Sequence, residues 1–142
     1  MSFWSIFGAN HLARRNTTFA RYLNQAMNSC FINPECHIPK SINLTHGQVV
    51  IGKATIGKNV TLFQNVTLGA RGTDDAELTH KDFPVIEDNV TIYANCVIIG
   101  NVTIGRNSII GAGSFINKDV PANTIAYSKK EIIMKKNDNK ER

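Results

Sequence analysis

The sequence predicts an all-β chain wound into a parallel β-helix, and three observations predict it. Aliphatic residues recur every six positions at Ile32, Ile38, Leu44, Val50, Ile56, Leu62 and Leu68. The phase is lost at Asp74 and His80 and resumes at Ile86, Ile92, Ile98, Ile104, Ile110 and Ile116. Four residues after most of these stands a small or β-branched side chain, as at Cys36, Ala54, Val60, Val66, Val90, Cys96, Val102, Ser108, Ser114 and Val120. Three residues after them Asn recurs at Asn59, Asn65, Asn89, Asn95, Asn101 and Asn107, with Gly47 and Gly113 at equivalent places. Asn and Gly are the residues that tolerate a left-handed backbone, so a corner needing positive φ once per hexad accounts for them.

A unit of one short strand and one tight corner cannot bury its own apolar side. Stacking such units about 4.8 Å apart places aliphatic side chains over one another and builds a continuous interior. Three units close one triangular turn, which gives about two turns before residue 70 and two after residue 85. An amphipathic helix does not fit a period of six, and an antiparallel sandwich wants alternation with turns every 8–12 residues.

The expected organisation has three parts. Residues 1–30 form an N-terminal arm and a capping helix, in which Phe19, Tyr22, Leu23, Ala26 and Met27 fall at helical spacing and Asn16, Thr17 or Thr18 supplies the cap. The covering face is expected to be that apolar stripe, because a β-helix has open apolar ends. Residues 31–126 form the β-helix, interrupted by a loop over 71–84 that carries Asp74, Asp75, Glu77, His80, Lys81 and Asp82 without any hydrophobic period. A phase that survives such a gap points to an extruded, functional loop. Residues 127–142 are a basic tail, read as a short helix or strand up to Lys136 and disordered beyond.

With 142 residues and 42% apolar composition, the chain is long enough for one core and is not a disordered segment. No 18-residue apolar span is present, so no transmembrane segment is expected. Three cysteines are too sparse for a disulfide framework, and the apolar start Phe3, Trp4, Ile6 and Phe7 lacks a basic leader, which together read as a cytoplasmic protein without a signal peptide. That start, followed by Arg14 and Arg15, is expected to pack on a neighbouring subunit rather than a membrane. The net charge of +5 fits an anionic partner such as a phosphorylated cofactor. Nucleic acid is excluded as the partner, since the basic residues are dispersed and no basic–aromatic cluster occurs.

Four histidines are available for chemistry. His11 lies in the arm, where a surface or interface role suffices, and His37 sits on an outward strand position without a catalytic role. His80 lies in the loop. His46 occupies a corner, Leu44-Thr45-His46-Gly47-Gln48, which holds an imidazole outside the apolar interior on a rigid scaffold.

The hexads from Ile32 to Ala126 resemble the hexapeptide-repeat acyltransferases, and that resemblance implies a left-handed coil. Leu44-Thr45-His46-Gly47, Ile56-Gly57-Lys58-Asn59-Val60 and Gln64-Asn65-Val66-Thr67-Leu68-Gly69 are similar to the serine acetyltransferase branch and its polysaccharide O-acetyltransferase relatives. The resemblance implies His46 as the general base and Gln64, one turn above it, as a site residue, with His80 and Asp82 of the loop beside the acceptor. It implies acetyl-CoA as the donor, held along Gly69, Ala94 and Ala112 with Lys118, Lys129 and Lys130 toward its nucleotide, no metal, and a homotrimer with sites between subunits. Departures are equally specific. Phe31 stands where the branch has an aspartate that orients its histidine, Thr45 where another helps to hold serine, and Phe83 where a second histidine lies, three residues from His80. The usual glycine-asparagine-proline-alanine ending is replaced by Tyr127-Ser128-Lys129-Lys130. Two missing carboxylates favour a neutral saccharide hydroxyl, of capsule or lipopolysaccharide type, over serine; the alternatives are a serine O-acetyltransferase and a non-catalytic scaffold. A zinc carbonic anhydrase of the same fold needs a close histidine pair that is missing here. Glu35 or Asn33 are the candidates to orient His46.

Overall fold

The computed structural model describes residues 8–15, 17–72 and 77–135. Within these described residues, two helices, α1 (Ala9–Arg15) and α2 (Thr18–Asn28), precede thirteen strands of two or three residues each. All strand pairs are parallel and form three sheets. Sheet one stacks β1 (Phe31–Ile32), β3 (Val50–Ile51), β6 (Thr67–Gly69), β9 (Val97–Ile99) and β12 (Phe115–Ile116). Sheet two stacks β4 (Thr55–Ile56), β7 (Val85–Ile86) and β10 (Thr103–Ile104). Sheet three stacks β2 (Asn43–Leu44), β5 (Thr61–Leu62), β8 (Thr91–Ile92), β11 (Ile109–Ile110) and β13 (Ile125–Ala126). The chain visits the sheets in the order three, one, two, so the product is a triangular parallel β-helix with three long edges.

Register explains the core. Leu44, Leu62, Ile92 and Ile110 lie directly over one another in sheet three, and Ile51, Leu68, Ile98 and Ile116 do so in sheet one. All eight are buried. Each such side chain contributes roughly 1.5–3 kcal/mol on leaving water. The residues expected between them, Val60, Val66, Val90, Cys96, Val102, Ser108 and Ser114, are also buried, and Val120 is buried in register with Ile104 of sheet two rather than between strands.

The six-residue step fails once. Val50 points outward and is 46% exposed, while Val49 and Ile51 on either side are fully buried. Leu44 and Ile51 are seven residues apart and Ile51 and Ile56 five, so one residue is added at the His46 corner and one removed at the next. Step-counting passes through such a paired shift unaware, because the sum remains twelve.

Positive φ occurs where Asn predicts it at Asn59, Asn65, Asn89, Asn95 and Asn107, and at Gly113. Two corners differ from expectation: Gln48 (φ 64°) takes the left-handed position rather than Gly47, and Gly100 (φ 92°) rather than Asn101. Along the edge joining sheets two and three the asparagines form a ladder, with amide-to-carbonyl distances of 3.3 Å from Asn59 to Asn89, 3.2 Å from Asn89 to Asn107 and 2.9 Å from Asn107 to Asn123.

Helix α2 begins where its cap predicts: the Thr17 hydroxyl oxygen accepts the Ala20 N–H at 3.2 Å. Its buried face, however, is Ala20 and Asn24, and the apolar stripe faces away, with Phe19 71%, Tyr22 66% and Met27 44% exposed. Small side chains at Ala9, Ala13 and Ala20 let the two helices lie close, and the guanidinium groups of Arg14 and Arg21 bond the carbonyls of Ile42 and Asn33. The arm therefore covers the prism through small residues and arginines. Helix α1 falls in a segment where only an arm was expected, and His11 on it is half-buried. Residues Phe3, Trp4, Ile6 and Phe7 lie outside the described residues, as do Asn16, Asp74, Asp75 and the tail from Lys136. Ser128 to Lys135 is neither helix nor strand, which corrects that expectation. Among the described residues no helix is long and apolar enough to cross a membrane.

Candidate active site

The edge joining sheets three and one carries the stacked corners His46-Gly47-Gln48, Phe63-Gln64-Asn65, Tyr93-Ala94-Asn95 and Gly111-Ala112-Gly113. Backbone bonds fix this stacking: Asn65 N–H donates to Gln48 O at 2.8 Å, Asn95 N–H to Gln64 O at 3.0 Å and Gly113 N–H to Ala94 O at 2.8 Å. His46, Gln64, Ala94 and Ala112 are thereby brought to one edge in rising order, as their spacing predicts.

His46 is solvent-exposed and projects from the one corner with an added residue. A cleft of about 550 Å³ surrounds it, lined by Met27, Asn28, Ser29, Gly47, Gln48 and Gln64. Among the described residues, that lining holds no Asp, Glu, Lys or Arg. The Gln64 side-chain oxygen is buried and has no hydrogen-bond partner among the described residues, a cost that a bound N–H or O–H would remove. Beside the cleft the Phe63 ring is centred 6.5 Å from His46 and stacks on Tyr93 at 4.8 Å.

Sequence reasoning missed Met27, Asn28, Ser29 and Gln48 as cleft walls. The available signals were the seven-residue spacing at this corner and the end of a helix immediately before the first strand.

Other expected site residues lie elsewhere within the chain. His80, Asp82 and Lys118 are on the edge joining sheets one and two. There the His80 Nδ1 is 2.8 Å from the Lys53 carbonyl oxygen and its ring packs edge-on to His37 at 5.3 Å. Asp82 caps the 3-10 turn His80–Asp82 by accepting the Thr79 N–H at 2.8 Å. It also lines a second cleft with Arg71, Lys118 and Asp119. Within one chain these residues are not joined to His46, because extrusion from a different corner carries the loop to a different edge. Phe83 is buried and packs on Gly52, which rules out solvent chemistry at the position of the second histidine. Glu35 pairs with Lys53 at 3.3 Å, and the Asn33 side chain accepts the Glu35 N–H at 2.9 Å, so both are committed at the loop edge rather than beside His46.

Gly69 ends β6, and its carbonyl accepts the Gly100 N–H at 2.9 Å. Lys130 reaches the His46 edge: a methyl at Gly113 would lie 2.5 Å from its Nζ. Lys129 faces solvent 3.8 Å from Glu131. The three thiols are poor nucleophiles. Burial pushes Cys36 up to about 12 and raises Cys30 and Cys96, leaving them protonated at neutral pH. Among the described residues no three His, Cys, Asp or Glu side chains cluster to hold a metal.

Residues 83–118 match the family model described as bacterial transferase hexapeptide (six repeats). That match agrees with the hexapeptide-repeat resemblance of the sequence. It is 35% identical over 127 residues to a serine acetyltransferase of Staphylococcus epidermidis, covering 85% of this chain and 58% of the relative. With the serine acetyltransferase of Buchnera aphidicola it shares 37% over 126 residues, covering 84% and 47%. Among solved structures, the Neisseria gonorrhoeae serine acetyltransferase in complex with serine aligns with a TM-score of 0.69 at 30% identity, over 85% of this chain and 53% of that one. The Entamoeba histolytica serine acetyltransferase 1 in complex with L-cysteine gives 0.70 at 30%, over 84% and 50%. This hexapeptide-repeat chain thus spans about half the length of the curated relatives it matches, and its coil is left-handed like theirs.

Proposed function

We propose that the protein is an acetyl-CoA-dependent O-acetyltransferase with His46 as general base. The observation that carries the reading is an exposed imidazole on a rigid corner, beside an unpartnered buried Gln64 oxygen, at the foot of an edge whose next corners are alanines. In this reading the neutral His46 imidazole takes the proton of an acceptor hydroxyl as its oxygen attacks the thioester carbonyl. The carbon–sulfur bond then breaks, and the imidazolium returns its proton to the departing thiolate, giving free CoA and the acetyl ester. The Gln64 amide group donates to the developing oxyanion or accepts from a bound N–H. The donor lies along Ala94 and Ala112, where small side chains leave room.

Serine is the acceptor the relatives support, in preference to the saccharide expected from the sequence. One observation favours the saccharide as a second reading: among the described residues, no carboxylate lines the cleft to meet an ammonium group. A homotrimer accords with both. The outer face of sheet one sets Phe31, Val50, Thr67, Val97 and Phe115 in register, with Phe31, Val50 and Phe115 at least 43% exposed, an apolar stripe suited to a second copy. Such packing would carry the loop with His80 and Asp82 to a neighbour's cleft.

The test is thiol release from acetyl-CoA with L-serine and with a panel of glycosides. Turnover with serine supports the first acceptor, and turnover with a glycoside alone supports the second. No release with any hydroxyl acceptor would favour a scaffold.

A further inference from the structure

We propose that the C-terminal end of α2 is a positioning element for His46, acting through Asn24, Asn28 and Gly47; this rests on the reading of His46 as the base. At each higher corner of the edge, the left-handed residue donates its N–H to the coil below. Among the described residues the His46 corner is the lowest of that stack, with no coil beneath it. There the Gln48 N–H donates instead to the Asn28 carbonyl at 2.9 Å. The end of the helix thus stands in for a missing coil, at the one corner that the added residue takes out of the regular repeat.

The helix end is itself held. Asn24, wholly buried, donates from Nδ2 to the Ala9 carbonyl at 3.1 Å and accepts at Oδ1 from Asn28 Nδ2 at 3.0 Å. Its backbone carbonyl takes the N–H groups of Ser29 and Cys30. An apolar side chain would cover the prism at less desolvation cost, so a buried amide with both ends engaged points to placement of the helix end. Gly47 completes the contact. Its φ is not left-handed, yet a methyl there would sit 2.6 Å from the Asn28 oxygen. Glycine is needed at this place for close approach.

The experiment compares His46→Ala, Gly47→Ala, Asn24→Leu and the pair of the last two. Gly57→Ala serves as control, since its methyl would be equally crowded, 2.5 Å from Asp88 Oδ1, on a different edge. Turnover, KM for acetyl-CoA and hydrogen exchange at the Gln48 amide are read in each. Gly47→Ala and Asn24→Leu are expected to lower kcat by about tenfold to a hundredfold, with KM within about twofold, and to speed Gln48 exchange. The pair should lose less than the product of the single effects. Gly57→Ala should lower melting temperature with kcat unchanged. Normal kcat in Gly47→Ala, or an equal loss in Gly57→Ala, would overturn the proposal; should Asn24→Leu fail to fold, Gly47→Ala decides alone. If His46→Ala keeps its turnover the base reading falls, while Gln48 exchange still reports on the contact.

Discussion

Phe83 lies against the bare Cα of Gly52, so closely that a methyl at Gly52 would overlap its ring. The contact ends the extruded loop and restores the coil at β7. Because the obstacle is a buried aromatic ring, Gly52→Ala is expected to cost about 1–3 kcal/mol, as overpacking does. Urea denaturation measures it, and unchanged stability would show that the loop end is free to shift.

The loop histidine and the corner histidine should respond differently to removal. His80 is engaged with Lys53 and His37 at the loop edge. In a trimer its effect would come through a neighbour, and monomeric variants would be insensitive to it. His80→Ala is expected to change turnover by less than about tenfold, below the usual range for losing a general base. A loss equal to that of His46→Ala would place His80 in the proton path.

Gln64→Leu removes the amide without removing bulk. The loss of one neutral hydrogen bond, about 0.5–1.5 kcal/mol, corresponds to roughly a two- to tenfold fall in kcat/KM. Steady-state kinetics with either acceptor decides this. A rate equal to that of the parent would mean that the buried oxygen serves no ligand.

Thiol burial gives a pH dependence of known sign. The folded state holds the Cys36 proton to about pH 12, while an unfolded thiol releases it near 9.0. The resulting stabilisation is fully present below pH 9 and is lost as pH rises toward 12, because there the unfolded state binds fewer protons. Denaturation midpoints should fall across that window, and a Cys36→Ser or Cys36→Ala variant should show a shallower decline. A midpoint that is flat to pH 12 would contradict the burial.

The stacked asparagines make a separate stability prediction. Asn107 has φ 59° and bonds Asn89 and Asn123. Asn107→Ala loses the ladder and must bear the left-handed strain, whereas Asn107→Gly loses only the ladder. The alanine variant should be the less stable by about 1 kcal/mol, and the reverse order by thermal melting would argue against the strain.

Much of this was legible in the sequence because each hexad is dictated locally. Ile92 or Ile110 is inward whatever its neighbours do, and Asn95 marks its corner by conformational tolerance alone. Features set between distant segments were less visible. Val50 satisfies the period yet faces solvent, since a residue is added at one corner and removed at the next. Phe19 and Tyr22 form an amphipathic stripe, but Ala20, Arg21 and Asn24 are on the side of α2 that meets the rest of the chain. His46, Gln64, Ala94 and Ala112 follow directly from a spacing that survives the loop. Lys118 and Glu35 do not, because a residue's edge depends on its place within the eighteen-residue turn. The walls Met27 to Ser29 come from a helix packed beneath the coil, which no repeat encodes.

The most direct measurement is the rate of CoA thiol release by His46→Ala beside the parent protein, on the acceptor that gives turnover. With His46 as the base, a fall of about a hundredfold or more is expected, with an unchanged melting temperature. Near-normal release by the folded variant would contradict it.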